Sequence, residues 1–275
     1  MARRQLKHCR AIITGASSGI GRALAQALAR EQAKIVLVAR REERLQELES
    51  EINAAGAECR TVVGDVTSAE TRVACVDIAR EQFGGLDLLI NNAGIGASGN
   101  FLHSDESTLR QVMEVNFFAL TELTRLALPV LLQGRQPAVV NVGSIIGHHG
   151  LPGLSEYSAS KGAVRGFSEA LRVELVDRVH VMLVSPATTA TEFFDQTRRN
   201  NDEHSNPQRW KAKRPLTPEA VARTTLKGLR KSKREVFPGM TPKLVRLVNR
   251  IVPWLMDYVL ESREREARRQ SDNAG

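Results

Sequence analysis

The chain has 275 residues, of which 42% are hydrophobic, and a net charge of +8. This length fits one α/β domain with a full core, and no apolar run approaches the roughly 20 residues that a membrane-spanning helix needs. Residues 1–197 carry 20 basic and 22 acidic side chains, whereas residues 198–275 carry 19 and 9. The excess positive charge therefore belongs to the C-terminal part, where it predicts a surface that meets something anionic.

The three cysteines, Cys9, Cys59 and Cys75, are an odd number and lack the spacing of a disulfide framework or a metal site. We expect free thiols, which are typical of a reducing cytosol. The apolar stretch after the basic N-terminus is too short for an export signal. These features predict a cytoplasmic protein, and the basic C-terminal part leaves open a peripheral contact with the membrane.

Short apolar runs alternate with helical patterns along the chain. The runs are nearly free of polar alternation, as in strands buried on both faces of a parallel sheet. The predicted strands are Cys9–Thr14, Lys34–Ala39, Cys59–Val63, Leu86–Ile90, Ala138–Val142 and Val179–Val184, with Glu235–Pro238 as a last edge strand. Helices are predicted over Ile20–Arg30, Glu42–Ala55 and Thr217–Arg230. Repeated βα units predict a doubly wound α/β fold.

A glycine-rich turn joins the first predicted strand to the first helix. Its sequence, TGASSGIG over residues 14–21, lets the backbone turn tightly and approach a pyrophosphate beside the free N–H groups of a helix N-terminus. The spacing is G-x-x-x-G-x-G and not the more common G-x-G-x-x-G. An ordinary strand–helix turn is the alternative, but the position in the first βαβ unit favours dinucleotide binding.

The second strand ends at Ala39 and is followed by Arg40 and Arg41. In proteins that bind NAD, an acidic residue at this place binds the ribose 2′-hydroxyl. A guanidinium can instead bind a 2′-phosphate through two charge-assisted hydrogen bonds. The sequence therefore favours NADP(H) over NAD(H). The alternative is that Arg40 and Arg41 merely begin a solvated helix.

Several motifs occur in a fixed order over residues 9–195. They are TGASSGIG at 14–21, Asp65-Val66, NNAG at 91–94, Asn116, Ser144, YSASK at 157–161, and Pro186 with Thr191. In order and spacing the sequence resembles the short-chain dehydrogenase/reductase family. The resemblance implies a single-domain Rossmann fold with about seven parallel strands, an NAD(P)(H) cofactor and a homodimer or homotetramer.

The resemblance also implies the catalytic residues, which are Asn116, Ser144, Tyr157 and Lys161. In the family pattern, Asn116 holds a water that relays protons to the lysine, and the lysine holds the hydroxyls of the nicotinamide ribose. A mid-helix asparagine that points into solvent is the alternative for Asn116. For Ser144 the alternative is a serine of an ordinary strand-end turn.

The cofactor-binding residues follow from the same motifs, with Arg40 added from the reasoning on the second strand. They are Thr14, Gly15, Ser17, Ser18, Gly19, Ile20, Gly21, Arg40, Asp65, Val66, Asn92, Ala93, Gly94, Tyr157, Lys161, Pro186 and Thr191. In the family, Asp65 lies near the adenine, and Thr191 helps to hold the carboxamide.

Tyr157 and Lys161 are four residues apart in a helical stretch, so they share one face. The pKa of a free tyrosine, near 10, is too high for efficient proton transfer at neutral pH. A nearby ammonium favours the phenolate, and the oxidised nicotinamide adds a second positive charge, so the pKa of the tyrosine is expected to move toward the working pH. Ser144 then donates a hydrogen bond to the carbonyl oxygen, which gains charge as hydride arrives.

The sequence departs from the family after the sixth strand, where Ser185-Pro186-Ala187 replaces the usual Pro-Gly. Alanine disfavours a positive φ, so either the backbone there suits a side chain or the loop near the nicotinamide is altered. We expect a shifted pocket and retained catalysis.

His148 and His149 lie in a glycine-bordered loop after Ser144. A metal site is one interpretation, but no cysteine or carboxylate pattern accompanies the pair. We therefore expect residues of a substrate loop and no metal.

We divide the chain into a catalytic domain, 1–240, and a C-terminal extension, 241–275, and expect a mobile loop over Thr197–Pro215. Apolar residues recur at helical spacing in the extension, namely Leu244, Leu247, Val248, Ile251 and Leu255, with Lys243, Arg246 and Arg250 opposite. Pro253 is expected to kink or restart the helix, and the tail after Glu261 to fray. Packing on the domain, binding to an anionic membrane through 241–260 and contact with an acidic carrier protein all remain open.

Together these features predict an NADP(H)-dependent oxidoreductase that interconverts a ketone or aldehyde and an alcohol, on a hydrophobic small molecule. A non-catalytic regulator or scaffold on the same fold is the alternative. The basic excess lacks a nucleic-acid-binding motif, so we expect no nucleic-acid partner. The helical segments Asn116–Leu132 and Ser158–Val176 are the expected interface between subunits.

Overall fold

The computed structural model describes residues 3–193, 197–199, 215–239, 245, 247–249 and 251–272. Its main sheet has seven parallel strands in these residues. In chain order these are β1 (Arg10–Thr14), β2 (Lys34–Ala39), β3 (Cys59–Val63), β4 (Leu88–Asn91), β6 (Ala138–Val142), β7 (His180–Val184) and β9 (Glu235–Val236). The doubly wound Rossmann fold is therefore confirmed, with strand boundaries within two residues of those predicted.

Helices cover both faces of the sheet. They are α1 (Gly19–Ala29), α2 (Glu42–Ala54), α3 (Ala69–Glu81), α4 (Glu106–Met113), α5 (Ala119–Leu131), α6 (Ser155–Glu174) and α7 (Pro218–Arg230). Alternate strand residues face opposite layers: Ile13 packs with residues of α1, α2 and α7, and Ile12 packs with residues of α3, α5 and α6. Because each strand is buried on both faces, its sequence is almost wholly apolar.

The strand order is β3-β2-β1-β4-β6-β7-β9. The chain winds outward from β1 in one direction and from β4 in the other. A crevice therefore opens at the carboxyl ends of β1 and β4, which is where ligands bind in sheets of this kind. The glycine-rich turn follows β1, and residues 92–94 follow β4.

A second, two-stranded sheet pairs β5 (Ala97–Ser98) with β8 (Arg198–Arg199) in parallel. The backbone N–H of Arg198 donates to the carbonyl of Gly96 at 3.1 Å. The start of the predicted mobile loop is thus paired to the segment after β4, while most of that loop, 200–214, lies outside the described residues.

The C-terminal segment, by which we mean the described residues from Val245 to Asp272, is helical at 247–249 and 251. Val252 interrupts the helix and α8 (Pro253–Asp272) begins at the proline, so the predicted restart is confirmed. The expectation that the tail after Glu261 frays is wrong, because α8 continues to Asp272. Salt bridges between residues one helical turn apart, such as Glu261–Arg265 at 2.8 Å, stabilise this polar helix.

Four residues of the predicted amphipathic pattern lie outside the described residues, namely Lys243, Leu244, Arg246 and Arg250. Among the residues that are described, no helix is both long and apolar enough to cross a membrane.

The three cysteines are free and buried. Burial raises the pKa of each thiol to about 12. They are therefore protonated packing residues in the interior at neutral pH.

Candidate active site

A cavity of about 820 Å³ opens at the carboxyl ends of the central strands. It brings together most of the predicted site. Its walls include Gly15, Ser17, Ser18, Gly19, Ile20, Arg40, Asp65, Val66, Asn92, Ala93, Gly94, Ser144, Tyr157, Lys161, Pro186 and Thr191. Three predicted residues, Thr14, Gly21 and Asn116, lie behind this wall and hold it in place.

The glycine-rich turn brings bare backbone to the surface of the cavity. Gly15 and Gly19 have φ values of 64° and 53°, a conformation that favours glycine. A Cβ on Gly15 would come within 2.9 Å of the Cα of Ala93, and one on Gly19 within 2.8 Å of the side chain of Thr191. The turn therefore leaves bare backbone and the N-terminus of α1 facing the cavity, and these features fit a pyrophosphate.

Thr14 joins the ends of β1 and β4. Its hydroxyl oxygen accepts hydrogen bonds from the backbone N–H groups of Asn92 and Ala93, at 2.9 and 3.0 Å. The amide of Asn92 in turn donates to the carbonyls of Thr14 and Gly15, at 2.9 and 3.2 Å. These bonds fix the two segments that border the crevice relative to each other.

Gly21→Ala is expected to destabilise the protein and weaken nucleotide binding. A Cβ there would lie 2.6 Å from the amide nitrogen of Asn92 and closer still to the carbonyl oxygen of Gly15, so the turn must shift. Overpacking of this kind costs about 1–3 kcal/mol. Thermal melting and titration with NADPH would measure both effects.

Gly166→Ala is the matched control, because Gly166 lies in α6 with nothing within 4 Å of an added Cβ. It should stabilise the helix by about 0.5–1 kcal/mol. Equal melting temperatures for the Gly21 variant and the wild type would show that the turn tolerates a side chain.

The two arginines after β2 have different environments. Arg40 is 63% exposed and lies 3.7 Å from the carboxylate of Asp65. Arg41 donates to the hydroxyls of Ser17 and Ser18, at 3.1 and 2.6 Å, and pairs with Glu192 at 2.7 Å. The sequence prediction named Arg40 as the binding residue, but the structure places both guanidinium groups on the cavity wall.

Tyr157 and Ser144 converge in the cavity, where their side chains form a hydrogen bond. The ring of Phe193 packs 5.4 Å from that of Tyr157, centroid to centroid. Burial raises the pKa of the tyrosine, and the hydrogen bond from Ser144 partly offsets this effect. In the protein without cofactor, burial therefore dominates the pKa of Tyr157, and its shift toward neutrality by Lys161 together with an oxidised nicotinamide stays a prediction.

Lys161 is buried, with its side chain beside Tyr157. Its ammonium donates to the carbonyl of Val142 at 3.1 Å and lies 5.7 Å from the centre of the tyrosine ring. Burial lowers the pKa of Lys161 to about 8. The predicted shared face of the helix is confirmed, and it places a phenol and an amine side by side in a site of low polarity.

Asn116 lies in a π-helical segment, Glu114–Phe118, between α4 and α5. It is 1% exposed, so the solvent-facing alternative is wrong. Its side-chain oxygen accepts from the N–H of Ile95 at 2.8 Å, and its amide donates to Ile95 O at 3.0 Å and Ser160 Oγ at 2.9 Å. The wider helical turn aims the amide inward, where it ties the segment after β4 to the residue preceding Lys161.

Ala187, at the position after β7 where the family has glycine, has no positive φ. The residue lines the cavity together with Pro186. Both alternatives for this departure, a backbone that suits a side chain and an altered loop near the nicotinamide, stay predictions.

The adjacent histidines hold the loop after Ser144 to other parts of the chain. His148 contacts Glu235 at 2.7 Å, and the hydroxyl of Ser185 donates to the same carboxylate oxygen at 2.7 Å. His149 contacts Asn249 at 2.9 Å. Among the described residues, no three His, Cys, Asp or Glu side chains converge as a metal site requires.

Asn91 belongs to a motif identified in the sequence, but sequence reasoning missed the partners of Asn91 and one residue of the cavity wall. The amide of Asn91 donates to Thr124 and Asn141, both at 2.9 Å, and Asn141 donates to Ser168 at 2.9 Å. This buried polar chain runs from α5 across β4 and β6 to α6 on one face of the sheet, and the asparagine within the apolar run AVVNV could have indicated it. Nothing local in the sequence identifies the cavity-lining Arg263.

Comparison with known proteins agrees with this geometry. A family model described as short chain dehydrogenase matches residues 10–202. The chain is 32% identical over 255 residues to "Ketoacyl reductase HetN" of Nostoc sp.. The aligned region covers 90% of this chain and 86% of that protein.

Two solved structures show the same architecture. A short-chain dehydrogenase/reductase from Burkholderia phymatum in complex with NAD has a TM-score of 0.82 and 29% identity, covering 92% of this chain and 96% of that one. A short-chain dehydrogenase from Burkholderia cenocepacia in complex with NADP has a TM-score of 0.74 and 27% identity, covering 85% and 97%.

Proposed function

Because the chain belongs to the short-chain dehydrogenase/reductase family, we propose that it interconverts a carbonyl compound and an alcohol with a nicotinamide cofactor. The observation that carries the proposal is the convergence of Tyr157, Ser144 and Lys161 in one cavity with the glycine-rich turn. Pseudo-enzymes commonly lack one of these groups, whereas this chain retains all of them.

The cavity fits a dinucleotide. The bare backbone of the turn would hold the pyrophosphate, and Asp65 with Val66 would lie at the adenine, as the resemblance implies. Lys161 would hold the nicotinamide ribose, and Thr191 the carboxamide. When bound, the nicotinamide supplies or accepts the hydride. The complexes of the two Burkholderia relatives with NAD and NADP support this cofactor class.

We propose NADP(H) as the preferred cofactor. Arg40 and Arg41 follow Ala39 at the carboxyl end of β2, and all three lie on the cavity wall. No carboxylate stands at the end of this strand to bind a ribose 2′-hydroxyl. Two guanidinium groups would instead attract the charge of a 2′-phosphate.

NADPH is expected to bind at least tenfold more tightly than NADH, a difference of about 1.4 kcal/mol. The double variant Arg40→Ala/Arg41→Ala should remove this preference by weakening NADPH alone. Arg44→Ala is the control, because Arg44 also pairs with Glu192, at 2.6 Å, but is not part of the cavity wall. Equal affinity of the wild type for the two cofactors, measured by fluorescence titration, would exclude the assignment.

Tyr157 would act as the acid in carbonyl reduction. Since burial raises its pKa, the phenol is protonated at neutral pH and able to give a proton to the developing alkoxide. Ser144 would donate a hydrogen bond to the same oxygen. Lys161 would stabilise the resulting phenolate, and Asn116 would position the lysine through Ser160. In alcohol oxidation, the phenolate would take the proton back.

The substrate is proposed to be hydrophobic. The cavity wall beyond Tyr157 includes Leu151, Leu154, Phe193 and Val245. A screen of aliphatic, aromatic and steroid-like ketones for NADPH consumption tests the function. Turnover of none of them, with NADPH bound tightly, would favour a non-catalytic NADP(H)-binding regulator.

We also propose a homo-oligomer in which α5 and α6 form the contact. The segment 118–132 exposes Phe118, Leu126 and Leu132, at 48%, 39% and 38%, and residues 173 and 176 at the end of α6 expose two valines at 72% and 63%. Exposed apolar surface of this extent commonly marks an interface.

A further inference from the structure

The part of the C-terminal segment between Leu247 and Val259 exposes large apolar side chains. Six large side chains are exposed there, and we call them the apolar stripe: Leu247, Ile251, Trp254, Leu255, Tyr258 and Val259, with exposures of 53%, 66%, 66%, 37%, 63% and 37%. Within α8 the spacing 254, 255, 258 and 259 follows one helical face. A contiguous exposed apolar surface of this kind marks a site of interaction.

The opposite side of the segment is held on the domain. Leu260 is buried, and the amide of Asn249 donates to the carbonyl of His148 at 2.9 Å. Asp257 lies 3.6 Å from His149. The stripe is therefore presented outward by a helix whose inner side is anchored beside the catalytic loop.

The same segment forms part of the cavity. Val245 and Arg263, which lie before and after the stripe in the sequence, both line the cavity that holds Tyr157.

We propose that the apolar stripe docks on an anionic lipid bilayer. In the sequence, residues 241–256 contain Lys243, Arg246 and Arg250 and no acidic residue, so this stretch of the chain is basic. Exposed Arg265, which pairs with Glu261 at 2.8 Å, continues the face of Trp254 and Tyr258 along α8. Tryptophan and tyrosine favour the boundary between headgroups and acyl chains, and arginine pairs with lipid phosphates.

A segment docked in this way lies on the bilayer without crossing it, and the same segment supplies Val245 and Arg263 to the cavity wall. The docking itself does not depend on the proposed catalytic function, and it is tested without an activity measurement.

The test is co-sedimentation of the full chain with phosphatidylcholine vesicles with and without phosphatidylglycerol. The wild type should bind the vesicles that contain phosphatidylglycerol, and high salt should weaken the binding. Ile251→Ser/Trp254→Ser should reduce affinity roughly tenfold or more. The control Phe101→Ser/Leu102→Ser removes two side chains of similar exposure, 62% and 81%, from another surface and should bind as the wild type does.

A second measurement uses tryptophan emission. The chain has two tryptophans, so Trp210→Phe leaves Trp254 as the only reporter, and its emission should shift to the blue on anionic vesicles. No binding of the wild type at low salt, or equal binding by the Ile251/Trp254 variant, overturns the proposal. A third result would also overturn it: the wild type does not bind vesicles but self-associates in sedimentation velocity, and the Ile251/Trp254 variant does not self-associate. The stripe would then join copies of the chain.

Discussion

Tyr157→Phe is expected to lower kcat for carbonyl reduction by about 100- to 10,000-fold, the range for loss of a general acid. The phenylalanine keeps the packing against Phe193 and removes only the hydroxyl that Ser144 contacts. Affinity for NADPH and the melting temperature should therefore remain close to those of the wild type. The measurement is steady-state reduction of the best ketone from the screen, with NADPH titrated separately.

The separate titration gives this result its meaning. If the variant lost NADPH binding as well, the tyrosine would be a binding residue and not the acid. Retention of more than a tenth of wild-type kcat would contradict the assigned role.

Lys161→Met is expected to abolish activity and yet stabilise the protein without cofactor. Burial lowers the pKa of Lys161 from the ordinary 10.5 to about 8, so the charged amine is disfavoured in the folded state. The unfolded chain then binds more protons between about pH 8 and 10.5, and wild-type stability rises with pH in that window. The increase in stability of the methionine variant over the wild type should therefore be largest below about pH 8 and become smaller as the pH rises toward 10.5.

Thermal melting at several pH values measures this effect, with about 2–4 °C expected for each kcal/mol recovered. Arg165→Met, one turn further along α6 and paired with Glu169 at 2.9 Å, is the control and should show no such dependence on pH. A methionine variant that is less stable than the wild type at pH 7, or that retains turnover, would refute the account of the buried amine.

The sheet was predictable because its strands are buried on both faces. Ala138–Val142 is apolar except for Asn141, and the strand occupies the predicted residues. The observed strand boundaries differ from the predicted ones where a polar residue lies at the start or the end of a strand. Asp87 belongs to a predicted strand, but it binds Arg10 at 2.7 Å just before β4 begins. Such a contact joins residues far apart in sequence, and no local pattern reveals it.

The identity of the candidate site was predictable from motif order, but its electrostatics were not. The pKa of Tyr157 depends on burial by residues such as Phe193 from distant segments. Two adjacent arginines read alike in the sequence, yet Arg41 reaches Ser17 and Ser18 while Arg40 is largely exposed. The polar tail after Glu261 suggested disorder, although charge pairs at helical spacing support α8.

The most direct test of the central claim follows deuterium from C4-deuterated NADPH in the presence of a ketone that the protein reduces. The account predicts deuterium on the carbinol carbon of the alcohol with the wild type, and transfer slowed by about 100-fold or more with Tyr157→Phe although NADPH remains bound. Deuterium transfer at the wild-type rate by the phenylalanine variant would contradict it, because the phenol would then have no part in the reaction.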